Sequence, residues 1–550
     1  MRVRCFAGGL LAAILAAGLQ VANALPVEKP LPPVDTTGGR LAGLVLPSGV
    51  KAWLGVPYAT PPTGSLRWRP PEAFQWRGTW NADRMMPECV QVLRAHDINH
   101  YYGEEPTSED CLYLNVWAPA TAHRGSKLPV IVYVYGGGFT IGSAGMPTYG
   151  GEVLSQRGVV FVNLNYRVGV LGFLAHPELS KEQGGHSGNY GLLDQSLALK
   201  WIHDNVERFG GDPARILVVG QSAGAGSVAM HLISPQSKGL FSRAMMSSGC
   251  NFNTNIATLA DGERNGLEIQ KYLGAGSLAE LRNLSADRFV AAQVESQIGV
   301  TVTKGVRAGP VLDGLFLTRP FRATLEAHAM TDVPLIANFN KEESASPFMN
   351  ALSVDEYRGI ARRIYGADAD AFLALYPVKD AGEIRATGIR VAREGGLERN
   401  SRGCAQLQSQ FNHSKTYVSL FSRHHAFVPG VHIADYDVPN TGAYHTGDIP
   451  FWFGTLDVFN RLRHTRQWGQ DDYTLTSRMM DALVAFASTG DPSTKQIPWP
   501  AWEPGSERKL EWGGAGLTEV VPINTTGIDW LASHPALRFD MLPPSLGARD

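Results

Sequence analysis

Short apolar runs alternate with segments of helical spacing along most of the chain. Residues 194–209 place Leu197, Trp201, Ile202 and Val206 on one helical face and stop at two glycines. Uninterrupted apolar runs are expected for strands of a parallel sheet that helices cover on both faces. The alternation therefore predicts an α/β fold with a large, mostly parallel central sheet flanked by helices. The runs that predict buried strands are residues 128–135, 159–164, 216–219, 333–339 and 417–421.

The N-terminal residues predict an exported protein. A short basic start precedes an apolar run over residues 6–19, and Ala22 and Ala24 are small residues at the positions a signal peptidase reads. This layout predicts a secretory signal over residues 1–24, and a periplasmic or secreted product. The run is shorter than the ~20 residues that span a bilayer, so we expect no stable membrane anchor after cleavage.

The rest of the chain predicts a single domain with insertions. Residues 25–37 are rich in proline and predict an extended tail. Residues 38–545 contain no long linker, low-complexity block or internal repeat. We therefore expect one catalytic domain over 38–545.

Charge and composition narrow the range of partners. The 550 residues include 49 basic and 51 acidic side chains, a formal charge of −2 at pH 7, and no run of five like charges. This balance argues against a nucleic-acid groove or a polybasic membrane patch. It favours a small or neutral substrate and gives no sign of an oligomeric state.

Four cysteines follow the predicted signal. An even number in an exported chain suggests disulfides, with three pairings open, although four buried free thiols are the alternative. The spacing favours Cys89 with Cys111, and Cys250 would then pair with Cys404. No cysteine or histidine spacing indicates a metal site, so we expect none.

Residues 220–224 match the pattern G-x-S-x-G around Ser222. The match alone is weak, but an apolar strand leads into it and an Ala/Gly-rich helix start leads out, which is the strand–turn–helix context that the motif requires. A serine on such a strained turn projects its hydroxyl into a pocket. Ser222 is therefore the candidate nucleophile, and an ordinary helix-capping serine is the alternative.

A run of glycines supplies a candidate oxyanion hole. Gly136, Gly137 and Gly138 follow the strand over 128–135. Acyl transfer needs backbone N–H groups aimed at a developing oxyanion, without side chains in the way. We predict that the amides of Gly137, Gly138 and Ala223 form this hole; a flexible surface turn is the alternative.

The acid and base should follow the nucleophile in the order acid, then histidine. Glu342 and Glu343 follow the strand over 333–339, and local pattern does not choose between them. His445 lies in a polar loop of small residues before an apolar run. Its rivals by position are His424, His425 and His432.

Eight motifs in order resemble the type-B carboxylesterase family, which includes cholinesterases and bacterial p-nitrobenzyl esterases. They are residues 55–59 (GVPYA), 66–68 (LRW), 109–115 (EDCLYLN), 135–139 (YGGGF), 165–167 (NYR), 188–192 (GNYGL), 209–213 (FGGDP) and the Ser222 turn. The resemblance implies an α/β-hydrolase fold and a serine ester hydrolase. Such an enzyme works through an acyl-enzyme intermediate on small to medium apolar esters, with no cofactor and no metal.

The resemblance also assigns roles to residues. Residues 340–344 (NKEES) match the family's N-K-D-E-G loop, which makes Glu343 the acid and supports His445 as the base. Ser248 matches a serine that braces the acid. Cys89 and Cys111 match the family's first disulfide.

The chain also departs from the family. Ser344 replaces the usual glycine after the acid, and Cys404 has no counterpart, which leaves the Cys250–Cys404 bridge in doubt. The loop between Cys89 and Cys111 carries Tyr101 and Tyr102 but lacks the tryptophan that binds choline, which argues against a choline ester specialist.

Several alternatives stay open from sequence. A lipase-like or amidase-like hydrolase would use the same triad, and a non-catalytic recognition protein would use the same fold. The aromatic residues Phe139, Phe451, Trp452 and Phe453 line a substrate pocket or belong to the core.

Overall fold

The computed structural model describes residues 29–92, 97–99, 105–298, 301–302, 307–433, 438–537 and 539. Within these residues a twelve-stranded sheet forms the centre of the molecule. Its strands, in chain order, are β1 (Lys29–Pro30), β2 (Leu44–Val45), β3 (Lys51–Pro57), β4 (Tyr113–Ala118), β5 (Leu128–Val134), β6 (Val160–Leu164), β7 (Gly211–Gln221), β8 (Arg243–Ser247), β9 (Leu335–Asn340), β10 (Thr416–Phe421), β11 (Arg508–Trp512) and β12 (Thr518–Pro522).

The spatial order of the strands is β1-β2-β3-β4-β6-β5-β7-β8-β9-β10-β11-β12. The seven strands from β6 to β11 pair in parallel, and the pairs outside them are antiparallel. The carboxyl ends of the parallel strands therefore share one edge of the sheet. In open α/β sheets, ligands bind outside this edge.

Helices surround the sheet, and the large apolar core lies between the layers. The helices are α1 (Glu152–Ser155), α2 (Gly169–Phe173), α3 (Pro177–Glu182), α4 (Tyr190–Asn205), α5 (Ala223–Ile233), α6 (Leu259–Tyr272), α7 (Leu278–Asn283), α8 (Ala286–Ser296), α9 (Phe321–Glu326), α10 (Val354–Tyr365), α11 (Ala369–Leu375), α12 (Ala381–Gly395), α13 (Leu397–Phe411), α14 (Ile449–Phe453), α15 (Gln470–Thr489) and α16 (Thr525–Ser533). Among the described residues, no helix has the length and apolar character needed to cross a membrane.

The predicted α/β fold is confirmed, and the buried strands explain why the prediction succeeded. Residues 130–134 of β5 are all fully buried, because helices cover both faces of a parallel sheet. All five predicted apolar runs lie in strands, with shifted ends. The predicted helix over 194–209 begins earlier, at Tyr190, and its last residues form a tighter helical turn.

Part of the segment predicted as a tail belongs to sheets. Lys29–Pro30 pairs with Leu44–Val45 at the edge of the central sheet, and Val34–Asp35 pairs with Arg40–Ala42. Pro30 is compatible with this position because an edge strand leaves one side of its backbone without a partner. The predicted signal over residues 1–24 lies outside the described residues.

Two disulfides join distant parts of the chain. Cys89 is bonded to Cys111, the pairing that the spacing favours, and Cys250 is bonded to Cys404. The second bridge links the segment after β8 to helix α13. The Cys250–Cys404 bridge is therefore present, although Cys404 has no counterpart in the family that the motifs resemble.

A buried ion pair fixes the segment after β6 against helix α4. The Asp194 carboxylate accepts hydrogen bonds from Arg167 Nε at 2.8 Å, from Nη2 at 2.6 Å and from the Arg167 backbone N–H at 3.0 Å. Both side chains are almost fully buried. Removal of one partner would leave the other charge buried without compensation.

We predict that Asp194→Ala lowers the free energy of unfolding by about 3–5 kcal/mol, because it leaves the buried Arg167 guanidinium without its counter-charge. Urea unfolding followed by circular dichroism measures the change. Lys200→Ala is the matched control on the same helix, since it breaks only the exposed Lys200–Asp204 pair, worth roughly 0.5 kcal/mol or less. Equal effects of the two variants would contradict the prediction.

A buried histidine in α5 predicts a loss of stability in acid. His231 bonds to Ser237 Oγ and to Gln195 Oε1, and burial lowers its pKa to about 3. An unfolded histidine has a pKa of about 6.5. As the pH falls from about 6.5 toward the pKa of the folded state, His231 is protonated in the unfolded state but not in the folded state. The free energy of unfolding therefore decreases.

We therefore expect His231→Gln to show a flatter loss of melting temperature than the unsubstituted protein between about pH 6.5 and pH 4. Differential scanning calorimetry across this pH range measures the slopes. His123→Gln removes an exposed histidine and should leave the slope unchanged. Parallel slopes for all three proteins would rule out His231 as a source of acid sensitivity.

Candidate active site

Ser222 lies at the sharp turn between β7 and α5. Its backbone has φ 56° and ψ −123°, a conformation that non-glycine residues rarely adopt. The Ser222 N–H donates to the Ser247 carbonyl in the neighbouring strand β8 at 2.9 Å. The predicted strand–turn–helix is therefore present, and the strained serine stands at the carboxyl edge of the parallel strands.

Glycine is required on both sides of this turn. A Cβ atom at Gly220 would lie 2.2 Å from the Gly224 carbonyl oxygen, and one at Gly224 would lie 2.1 Å from the Val134 carbonyl oxygen. These distances are far inside van der Waals contact. Residues with a Cβ atom do not fit at these two positions, because the backbone segments around the turn pass this close to each other.

The glycine run that holds two of the three amides predicted for the oxyanion hole passes close to the same turn, since a Cβ atom at Gly136 would lie 2.8 Å from Ser222 Cβ. Gly137 and Gly138 have positive φ angles of 110° and 63°, and Ala223 is the first residue of α5. The Gly137 carbonyl accepts bonds from the N–H groups of Thr140 and Ile141. Among the described residues, the N–H groups of Gly137, Gly138 and Ala223 have no hydrogen-bond acceptor. They are free to donate to a ligand.

Glu343 and His445 form a direct pair. His445 Nδ1 lies 2.6 Å from Glu343 Oε2, and the carboxylate side chain is fully buried. Glu343 Oε1 accepts from Ser248 Oγ at 3.0 Å and from the Asn340 N–H at 2.6 Å. Because the ionised carboxylate only accepts, Nδ1 carries the proton and the Nε2 lone pair is left for another donor.

The neighbouring carboxylate has a different task. Glu342 Oε2 accepts from the Ala443 N–H at 2.8 Å, and the Glu342 N–H donates to the Ala443 carbonyl at 3.1 Å. These two bonds tie the loop that carries His445 to the loop that carries Glu343. The sequence pattern could not distinguish Glu342 from Glu343. In the structure Glu342 contacts the backbone of Ala443, whereas Glu343 contacts the imidazole of His445.

The three rival histidines are not paired with Glu343. The side chain of His424 is 61% exposed and lies 3.4 Å from Glu342 Oε1, and His432 is exposed in the loop after β10. His425 is buried, and its ring nitrogens contact the Gly447 carbonyl oxygen and the Tyr444 hydroxyl. Of the four candidates, His445 is the one bonded to Glu343.

No hydrogen bond joins Ser222 Oγ to His445 among the described residues. Instead, the amide nitrogen of Gln221 lies 3.1 Å from His445 Nε2 and 3.5 Å from Nδ1. The Nε2 lone pair lies in the ring plane and points away from Nδ1. A donor placed along this lone pair would therefore lie much farther from Nδ1 than the Gln221 amide nitrogen does. The amide therefore stacks on the face of the imidazole and leaves the in-plane lone pair open.

A buried carboxylate also holds the end of the histidine loop. Asp448 accepts from Ser247 Oγ at 2.7 Å, from Asn338 Nδ2 at 2.9 Å and from Asn340 Nδ2 at 3.1 Å. Burial raises the pKa of Asp448, and the charge of Glu343 adds to the effect. Sequence analysis missed both Asp448 and Gln221; their positions beside His445 and Ser222 were the only signal.

The aromatic residues divide between core and site. Three of them belong to α14 and are fully buried: Phe451, Trp452 and Phe453. Phe139 is half-buried, and its ring lies 5.2 Å from that of Phe173. A Cβ atom at Gly226, in the helix after Ser222, would lie 3.6 Å from the Phe139 ring. Of the four predicted aromatic residues, Phe139 is thus the one beside the Ser222 turn.

The described residues contain no group of three or more histidine, cysteine, aspartate or glutamate side chains placed to hold a metal ion. Tyr101 and Tyr102, which bear on the choline argument, lie outside the described residues.

Comparisons with known proteins give one consistent result. The model of the carboxylesterase family matches residues 30–516. The fumonisin B1 esterase of Sphingopyxis macrogoltabida is 37% identical over 498 residues, which cover 88% of this chain and 87% of that protein. The para-nitrobenzyl esterase of Bacillus subtilis (strain 168) is 30% identical over 488 residues, covering 87% and 94%.

A solved structure of a PNB esterase superposes with a TM-score of 0.72 at 28% identity, and it covers 91% of this chain and 99% of that chain. The fold, the family match and the relatives agree over nearly the same residues. The chain therefore belongs to the carboxylesterase family and is a carboxylic ester hydrolase.

Proposed function

We propose that the chain hydrolyses small to medium apolar carboxylic esters with Ser222 as nucleophile, His445 as general base and Glu343 as the acid that orients it. The observation that carries this proposal is the 2.6 Å contact between His445 Nδ1 and Glu343 Oε2 at the edge where Ser222 turns. The contact sets the imidazole tautomer that a serine nucleophile needs.

The chemistry follows from these groups. His445 Nε2 takes the hydroxyl proton as Ser222 Oγ attacks the ester carbonyl, and it returns that proton to the departing alcohol. Water then attacks the acyl-enzyme with His445 again as base. The free amides of Gly137, Gly138 and Ala223 stabilise the oxyanion in both steps. Apo enzymes often lack the serine–histidine bond, which forms when substrate binds.

Glu343 works because its surroundings keep it in place. Ser248 Oγ and the Asn340 N–H occupy one carboxylate oxygen and leave the other for His445. This arrangement supports the proposed role of Ser248 as a brace for the acid. No step requires a metal or a cofactor.

Apolar character beside the turn supports the substrate class. The rings of Phe139, which is half-buried, and Phe173 lie next to the proposed oxyanion hole and favour an apolar ester group. The relatives are named for a fumonisin ester and for a p-nitrobenzyl ester. We include fumonisin B1 among the substrates to be tested for this reason.

We also propose export through the signal over residues 1–24. The two disulfides support this proposal, because such bonds persist in oxidising compartments. Mass spectrometry of the mature N-terminus tests it: the expected product starts at Leu25, and a product that retains Met1–Arg4 in the cell fraction would refute it.

We predict that Ser222→Ala lowers kcat by about 10⁶-fold on p-nitrophenyl butyrate and abolishes labelling by a fluorophosphonate probe, because the nucleophile is removed. A melting temperature within a few degrees of the unsubstituted protein confirms folding. Ser227→Ala, which changes a buried serine of the same helix α5, serves as the matched control. Residual activity near the unsubstituted level would refute Ser222 as nucleophile.

We expect kcat/KM to be highest for short and medium p-nitrophenyl esters and to fall for palmitate and for a matching p-nitroanilide. The reasons are the half-buried Phe139 ring beside the Ser222 turn, which favours a small apolar group, and the names of the relatives, which are ester hydrolases. Steady-state kinetics on acetate, butyrate, octanoate and palmitate esters, on the anilide and on fumonisin B1 give the ranking. Preference for palmitate would indicate a lipase, and preference for the anilide an amidase.

A further inference from the structure

A second histidine lies buried behind the loop that carries His445. His425 follows strand β10 and is 4% exposed. Its Nε2 lies 2.8 Å from the Gly447 carbonyl oxygen, and its Nδ1 lies 3.1 Å from Tyr444 Oη. The ring therefore contacts the residue before His445 and the residue two positions after it.

The tautomer of His425 follows from its partners. Arg466 Nε lies 3.3 Å from Nδ1, and a guanidinium only donates. Nδ1 is thus an acceptor, shared by Arg466 and the Tyr444 hydroxyl. The Gly447 carbonyl only accepts, so Nε2 carries the proton. Two independent partners define the same neutral tautomer, and burial together with the nearby Arg466 holds the pKa of His425 well below its usual value.

Arg466 is itself fixed in the core. It is fully buried, and its Nη2 donates to the Ile98 carbonyl at 3.0 Å. The guanidinium carbon lies 3.9 Å from the centre of the Phe427 ring and 4.9 Å from that of Phe459. Such cation–π contacts gain strength when desolvated. The donor that sets the His425 tautomer therefore has little freedom to move.

The loop that His425 contacts is strained. Thr446, directly after His445, has φ 77°, which is unfavourable for a β-branched residue. Its hydroxyl oxygen lies 3.0 Å from Asn99 Oδ1 and also contacts the His445 carbonyl oxygen. Strained backbone persists only where surrounding contacts hold it. On the amino-terminal side Glu342 holds Ala443, and on the carboxyl-terminal side His425 holds Gly447.

We infer that His425 is a positioning residue for ester hydrolysis: its bond to the Gly447 carbonyl holds the strained turn that aims His445 at Ser222. The inference rests on the proposed function, because it takes His445 as the base. His425 touches no substrate and takes no part in proton transfer, since both of its ring nitrogens already have partners. A displacement of the base by about 1 Å can cost on the order of a hundredfold in rate.

The test compares His425→Ala, His425→Gln and His425→Asn in steady-state kinetics, well below each melting temperature. We expect the alanine variant to lose about 10- to 100-fold in kcat with little change in KM, because only the aim of the base changes. Glutamine places an amide N–H near the Nε2 position and should recover most of kcat. Asparagine is too short to reach Gly447 and should not. The rate of fluorophosphonate labelling should fall in parallel with kcat.

His231→Gln is the matched control, because it removes a buried neutral histidine with two hydrogen bonds that does not contact the His445 loop. It should lower the melting temperature and leave kcat unchanged. Equal kcat for the Gln and Asn variants, an unchanged kcat in His425→Ala, or an equal kcat loss in His231→Gln would overturn the inference.

If His425→Ala fails to fold, the comparison of His425→Gln with His425→Asn decides the test, because both variants replace the imidazole by an amide and differ in their reach to the Gly447 carbonyl. Equal kcat values for these two variants would overturn the inference. Ser222→Ala and His445→Ala are measured alongside. If either keeps full activity, the proposed triad fails, whereas failure of the His425 inference leaves both of them inactive.

Discussion

The close approach of β7, α5 and the glycine turn after β5 is the constraint on which the site depends. Gly220 and Gly224 let strand and helix pass within a distance that excludes any Cβ atom, and Gly136 does the same beside Ser222. At this contact Ser222 has its rare backbone conformation, and among the described residues the N–H groups of Gly137 and Ala223 have no hydrogen-bond acceptor. The same close packing therefore surrounds both the partly buried serine and the free donors of the proposed oxyanion hole.

The histidine loop has no such intrinsic constraint, so its position depends on contacts from other elements. Glu342 binds Ala443, Asn340 binds the Tyr444 carbonyl at 2.7 Å, and Asp448 binds β8 and β9 side chains. These partners come from the carboxyl ends of strands that already share one edge with Ser222. The parallel sheet therefore brings the loop of His445 to the edge that holds Ser222 through short polar contacts, although the two residues lie far apart in sequence.

Sequence was informative where local chemistry determines the structure. The β-branched runs of β5 and β6 and the small residues around Ser222 were readable, because burial and close packing restrict residue types there. Strand β8 (RAMMS) was missed, since alanine and methionine have no strong strand preference and only its neighbours β7 and β9 make it a strand. The same limit applied to the choice of Glu343 and to the Cys250–Cys404 bridge, which depend on long-range contacts.

Two adjacent carboxylates show why spacing alone could not assign roles. Successive residues after a strand point in different directions, so Glu343 faces His445 while Glu342 faces the backbone of Ala443. Both are buried, and each has donors that offset the cost of burying a charge. If their positions were exchanged by a one-residue slip, the Ser248 hydroxyl and the Asn340 N–H would lose their acceptor. The hydrogen bonds around Glu343 therefore fix the register of this loop as well as the carboxylate oxygen that contacts His445.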